Sequence, residues 1–319
     1  MSPESGPRRV WAGLALCLAL TAATTAGGFW YPALTLLAQA LQLLPILVAN
    51  ALSARLGWRI AGEYEGHTPM WIAWSLISAG ALANAGRVGF ELAFQLTGHT
   101  NSAVSIALGL RQVLIVGSLL MLGGGLAAMW SSFTSLRLGV RLRAADWALI
   151  GCILLLVPPV VLTRQRMNDA GSPLDLIRYL QFASPFLLAI PASLGLVLYR
   201  ISREMGEGLM ALALRFLAAS FAIRLFVLAI RALPDSASTA AVLAVSTVPP
   251  LLVITAHWMF LLGLVCRRQL SHATADLIEQ YQRDQRRQME ILVKKIPEAS
   301  QQTGHPRQLT NQVVDFKLR

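Results

Sequence analysis

Charge is what this chain lacks. Only 13% of its 319 residues are charged, 55% are hydrophobic, and the mean hydropathy is +0.57. Soluble domains carry about 25% charged residues, so a water-soluble globule explains the composition poorly, whereas membrane embedding explains both departures together. Lysine is nearly missing: of 27 basic residues, only Lys294, Lys295 and Lys317 are Lys. The net charge of +11 is therefore arginine charge. It sits mostly in short connectors between apolar runs, not in a continuous patch, which argues against nucleic acid as a partner. Cysteine is also sparse. Cys17, Cys152 and Cys266 lie far apart, with no C-x-x-C or Cys/His spacing, so neither a disulfide framework nor a zinc site is indicated and no cofactor is expected.

What the chain does have is apolar length. A spanning helix needs about 20 mainly apolar residues, and segments near 10–29, 32–53, 69–96, 103–130, 147–163, 176–199, 208–231 and 238–265 qualify. The expected fold is all-α: a polytopic transmembrane helical bundle of about eight spans within 1–266, then a cytoplasmic helical tail at 267–319 with a disordered end. Thr68 and Pro69 place an N-cap and a first-turn proline before the third span; "SPLD" at 172–175 does the same for the sixth, and Asp146 can cap the fifth.

Arginines set the expected orientation. Alternate connectors hold Arg8 and Arg9; Arg55 and Arg59; Arg137, Arg141 and Arg143; Arg200 and Arg203; and Arg267 and Arg268. The others hold fewer, which by the positive-inside rule puts both termini in the cytoplasm, with a bacterial inner membrane as the expected location. Trp11, Trp58, Trp71, Trp130 and Trp147 fall at the same boundaries, as interfacial anchors do. The first segment, "RRVWAGLALCLALTAATTAGG", also has the shape of a signal peptide. Its cleavage would leave seven spans and an outside N-terminus.

In the tail, Leu277, Tyr281, Met289, Leu292 and Ile296 form a loose apolar stripe interrupted by Gln285 and Gln288. A helix over 270–296, ended by Pro297, is expected to serve self-association or a protein partner.

The polar residues inside the spans carry the functional question. Arg87 and Glu91 lie one turn apart in the third span; Arg111 and Gln112 are in the fourth, Arg215 and Arg224 in the seventh. Each central arginine costs about 2.5–3.5 kcal/mol on insertion scales. Helical side chains lean toward their own N-terminus, so Arg111 and Arg215 lean toward their nearer interface and can snorkel there. Arg87 and Arg224 lean away from theirs. Glu91 is the only carboxylate in the eight segments, and one acid cannot balance Arg87, Arg111 and Arg224. Either backbone and water satisfy the surplus, or an anionic ligand does, on the outer side. Arg87, Glu91, Arg111, Gln112 and Arg224 are accordingly the candidate ligand-binding residues. No catalytic or metal-binding residue is assigned.

Other features read as structural. Counting residues puts His257 in the inner third of the membrane, and no other histidine lies at matching depth for a haem. His272 follows a span but lacks the acidic-Arg-Thr-Pro sequence of a phospho-accepting histidine. Gly117, Gly123, Gly124 and Gly125 suit close helix packing. Proline pairs at Pro158-Pro159 and Pro249-Pro250 are expected to interrupt the fifth and eighth spans. Two function classes follow. One is a non-enzymatic sensory, regulatory or complex-assembly module with an outward-facing basic cavity, and the alternative is a transporter of a small anionic solute.

Overall fold

The computed structural model describes the backbone at residues 5–30, 35–97, 101–135, 142–168, 176–230 and 239–303. Within these ranges it describes most side chains, except at the helix segments bordering the gaps. SPLD at 172–175 and the end of the tail lie outside the described residues.

The chain is an all-helical bundle: α1 Ser5–Trp30, α2 Thr35–Ala61, α3 Pro69–Thr97, α4 Asn101–Ser135, α5 Ala144–Asn168, α6 Leu176–Glu204, α7 Leu209–Ile230 and α8 Thr239–Thr303. Among the described residues, five helices contain stretches long and apolar enough to cross a membrane, at Ala40–Ala61, Gly109–Ser135, Ala183–Glu204, Leu209–Ile230 and Val248–Arg287. Val10–Ala23 and Ala144–Val157 are shorter apolar stretches. Leu82, Leu155 and Phe226 are exposed on outer faces, as residues meeting acyl chains are.

Helix α3 is rich in Ala, Gly and Ser because it is packed in protein on two sides. It lies between α2 and α4, which is followed by α6 and then α7, while α1 flanks α2 and α5 flanks α6. Small residues allow the close approaches. Ser118 Oγ donates to the Gly80 carbonyl at 2.9 Å, and Ser78 Oγ donates to the Ala54 carbonyl at 2.5 Å. Gly125 lies against Ala73 and Ile77. Gly117, expected to pack, has open space where a side chain would go. From Ile254 to Arg267, α8 is buried at almost every position, so this stretch is a central strut. Gly263 approaches the Ala213 carbonyl on α7, and Gly13 on α1 approaches the Trp258 ring.

Three local expectations change. At α5 the N-cap is Arg143. Asp146 stands three residues in, its Oδ2 accepting the Arg143 amide at 2.8 Å, as the acid of a capping box does. The proline pairs do not break their helices, since α5 and α8 remain helical through them. A proline removes one helical hydrogen bond and crowds the carbonyl four residues back, which long flanking helix can absorb. Likewise α8 passes Pro297 and reaches Thr303, carried by good helix formers such as Glu298, Ala299 and Gln301.

The chain divides into two compact units, Met1–Gln269 and Leu270–Arg319. In the second, Leu277, Ile278, Tyr281 and Met289 are exposed, and Arg283 pairs with Glu279 at 3.1 Å.

Candidate functional site

Helix α3 brings Asn84, Arg87 and Glu91 onto one face by their spacing of three and four residues. Arg87 Nε donates to Asn84 Oδ1 at 2.9 Å, and its Nη1 donates to Glu91 Oε2 at 2.8 Å. The other Glu91 oxygen lies 3.5 Å from Arg111 Nη2 on α4. One carboxylate is thus shared between two guanidinium groups.

The Asn84 amide extends the network to two more helices. Its Nδ2 donates to Asn50 Oδ1 on α2 at 3.0 Å and to His257 Nε2 on α8 at 2.9 Å. Asn50 Nδ2 donates in turn to the Ile46 carbonyl at 2.7 Å. His257 Nδ1 lies 2.7 Å from the Val253 carbonyl, which can only accept. The proton therefore sits on Nδ1, and Nε2 accepts from Asn84. Both ring nitrogens are engaged, so His257 is a neutral member of a buried network tying α2, α3 and α8. Its partner Asn84 lies midway along α3.

Beside this network is a cavity of about 270 Å³. Arg87, Arg111, Gln112 and Arg224 line it, together with Ser118 and Ser184. Arg224 reaches it from α7 with its guanidinium over the rings of Phe221 and Phe260, at 5.5 and 5.9 Å from their centroids. Such cation–π contacts soften the desolvation of a guanidinium but supply no hydrogen-bond acceptor. The Nε atoms of Arg224 and Arg111 are both buried without a hydrogen-bond partner. Among the described residues, no carboxylate pairs with Arg224. Each unmade buried bond costs about 1–3 kcal/mol. Three guanidiniums and Glu91 sum to a formal charge of +2, concentrated where charges are poorly screened.

Of the five candidate residues, four line the cavity, and Glu91 holds two of those four. Arg215 stands apart, donating to the Gly206 carbonyl at 3.0 Å in the α6–α7 connector. Asn50 and Asn84 were missed by sequence reasoning. Their signal was an amide side chain inside each of two apolar segments, midway along the third for Asn84 and near the end of the second for Asn50. Ser118 and Ser184 carried none, since serine is common in packed helices.

Polar groups also fasten the helix ends. Arg267 Nη2 donates to Tyr64 OH at 2.5 Å, Arg267 lies 3.6 Å from Glu63, and Arg268 pairs with Glu63 as well. Asp146 is bound by Arg200 Nε at 2.5 Å. The Arg143 amide, followed by Arg200, holds the Asp146 carboxyl below its ordinary range. A depressed carboxylate stabilises the fold above its unfolded pKa, near 3.9. That contribution fades as pH falls from there through the lower folded value. Wild type should therefore exceed Asp146→Asn in thermal midpoint at neutral pH, with the gap closing below about pH 4. A gap independent of pH would mean that the carboxylate's charge is not involved.

No family model, curated protein or solved structure matches this chain. Fold and composition define an integral membrane protein of the helical-bundle class.

Proposed function

We propose that the protein is a non-enzymatic sensory or regulatory membrane module whose cavity binds a small oxyanion. The observation that carries this reading is the surplus guanidinium charge on the cavity wall, with buried Nε–H groups of Arg224 and Arg111 lacking acceptors. Guanidinium forks match carboxylate and phosphate oxygens geometrically. A formal surplus of two favours a dianion of phosphate or sulfate type, and the volume favours a small one. Gln112 adds a neutral amide N–H donor that can orient it.

Helix α8 supports a relay. It carries Val253 and His257 at the cavity, then Arg267 and Arg268 on Glu63 and Tyr64, and its sequence continues into the tail unit. An anion that displaces Arg87 from Asn84 would disturb the His257 bond on α8. In this reading the tail at 270–296 holds a protein partner or a second copy, both termini are cytoplasmic, and the membrane is a bacterial inner membrane.

Sulfate or phosphate should raise the thermal midpoint above that in chloride at equal ionic strength, because a ligand of the folded state stabilises it by mass action. Arg224→Gln should weaken the response about tenfold or more, the equivalent of losing one charge-assisted bond. A wild-type protein indifferent to both oxyanions would defeat the reading. Deletion after Arg268 should leave the anion response intact while abolishing partner retention. Anion flux by that truncated protein in vesicles would favour a transporter instead.

A further inference from the structure

A second cavity lies between α5, α6 and α7, of about 490 Å³. It shares no residue with the basic one. Its walls are apolar: Ile153 and Leu156 come from α5, Leu196 from α6, and Ala218, Ala219 and Ala222 from α7. The room has a cause in the sequence. Three alanines on one face of α7 leave short side chains where α5 would otherwise pack, and α5 leans on α6 while scarcely touching α7. The Asp146–Arg200 pair fastens α5 to α6 at one end, and the cleft lies beyond it.

Among the described lining residues, polarity is confined to one end. Arg215 and Tyr199 line that end, and Leu225 lines the other, about 15 Å further along α7 at the helical rise of ~1.5 Å per residue. A guanidinium has five N–H donors. The one acceptor found for Arg215 is the Gly206 carbonyl, and among the described residues no carboxylate pairs with it. Water has little to bind along such walls, whereas acyl chains surround a bundle of this class.

We propose that this cleft binds one acyl chain of an anionic glycerophospholipid, with the headgroup phosphate received by Arg215 and the Tyr199 hydroxyl. The apolar trough recognises the chain, and Arg215, the one cation among the described lining residues, selects the charge of the headgroup. The site is independent of the oxyanion cavity, so either can fail alone.

Native mass spectrometry of the delipidated full-length protein, titrated with phosphatidylglycerol and with phosphatidylcholine of identical chains, tests this. One phosphatidylglycerol should be retained about fivefold more tightly than phosphatidylcholine, the scale of one basic residue at a lipid surface. Arg215→Gln should erase that preference, and Arg215→Lys should keep it. Ala219→Phe, which fills the trough, should weaken retention of both lipids, with helicity and monodispersity checked to show that it folds. Equal retention of the two lipids by wild type would overturn the headgroup assignment. A preference unchanged in Arg215→Gln, together with retention unchanged in Ala219→Phe, would place lipid elsewhere and overturn the site.

Discussion

Glu91→Gln is expected to lower the thermal midpoint sharply. Glu91 bonds Arg87 directly and lies 3.5 Å from Arg111. Its amide replacement would leave three guanidiniums around the cavity with no carboxylate among them. Breaking a buried pair by removing one partner costs about 3–5 kcal/mol, because the remaining charge stays desolvated. The side chains of Arg87 and Glu91 are 13% and 21% exposed, but that of Arg111 is 40% exposed. This exposure moves the expectation to about 3 kcal/mol, the lower end of the range. Sulfate should recover part of the loss in the variant, since an added dianion supplies what the carboxylate did. Thermal unfolding in detergent, with and without sulfate, measures both effects. An unchanged midpoint would mean that water already solvates the cluster, and the electrostatic case for a ligand would go with it.

Gly125→Leu is expected to separate α3 from α4. A Cβ at position 125 would stand 2.7 Å from Ile77 Cγ1 and 2.8 Å from the Ala73 carbonyl oxygen. The carbonyl is backbone and cannot rotate away, so the helices themselves must move. Extra methylenes forced into a packed interior cost about 1–3 kcal/mol. A branched four-carbon side chain at a backbone contact should reach or pass the upper figure. Gly117→Ala is the contrast on the same helix. Nothing lies within 4 Å of its added carbon, so alanine's better helix propensity should be felt alone, for a gain of up to about 1 kcal/mol. Similar midpoints for the two variants would contradict the packing described for α3 and α4.

The two glycines show where sequence reading stops. Both lie in the apolar fourth segment and invite the same interpretation, but one faces Ala73 across a helix contact and the other faces open space. Spacing along a helix gives relative angles around its axis. It does not say which angle meets a neighbour, because that depends on how the whole helix is rotated in the bundle.

The candidate site divides along the same line. That Arg87, Glu91, Arg111, Gln112 and Arg224 were unusual followed from solvation alone, since a charge or amide in a hydrocarbon segment is costly wherever the helix goes. Glu91 bridging Arg87 followed from an interval of four residues. That Arg224 on α7 reaches the cavity lined by Arg87 and Arg111 came from packing over more than 100 residues of chain. The Asn50–Asn84–His257 network likewise joins the consecutive helices α2 and α3 to α8, 173 residues beyond Asn84.

Helix, length and lipid-compatible composition were settled by the chain itself, because hydropathy and backbone hydrogen bonding act locally and nearly independently of partners. Which polar groups meet, and which gaps stay open between rods, was decided only when the helices packed. Those outcomes depend on rotation, tilt and side-chain volume summed over many neighbours, and no single segment contains them.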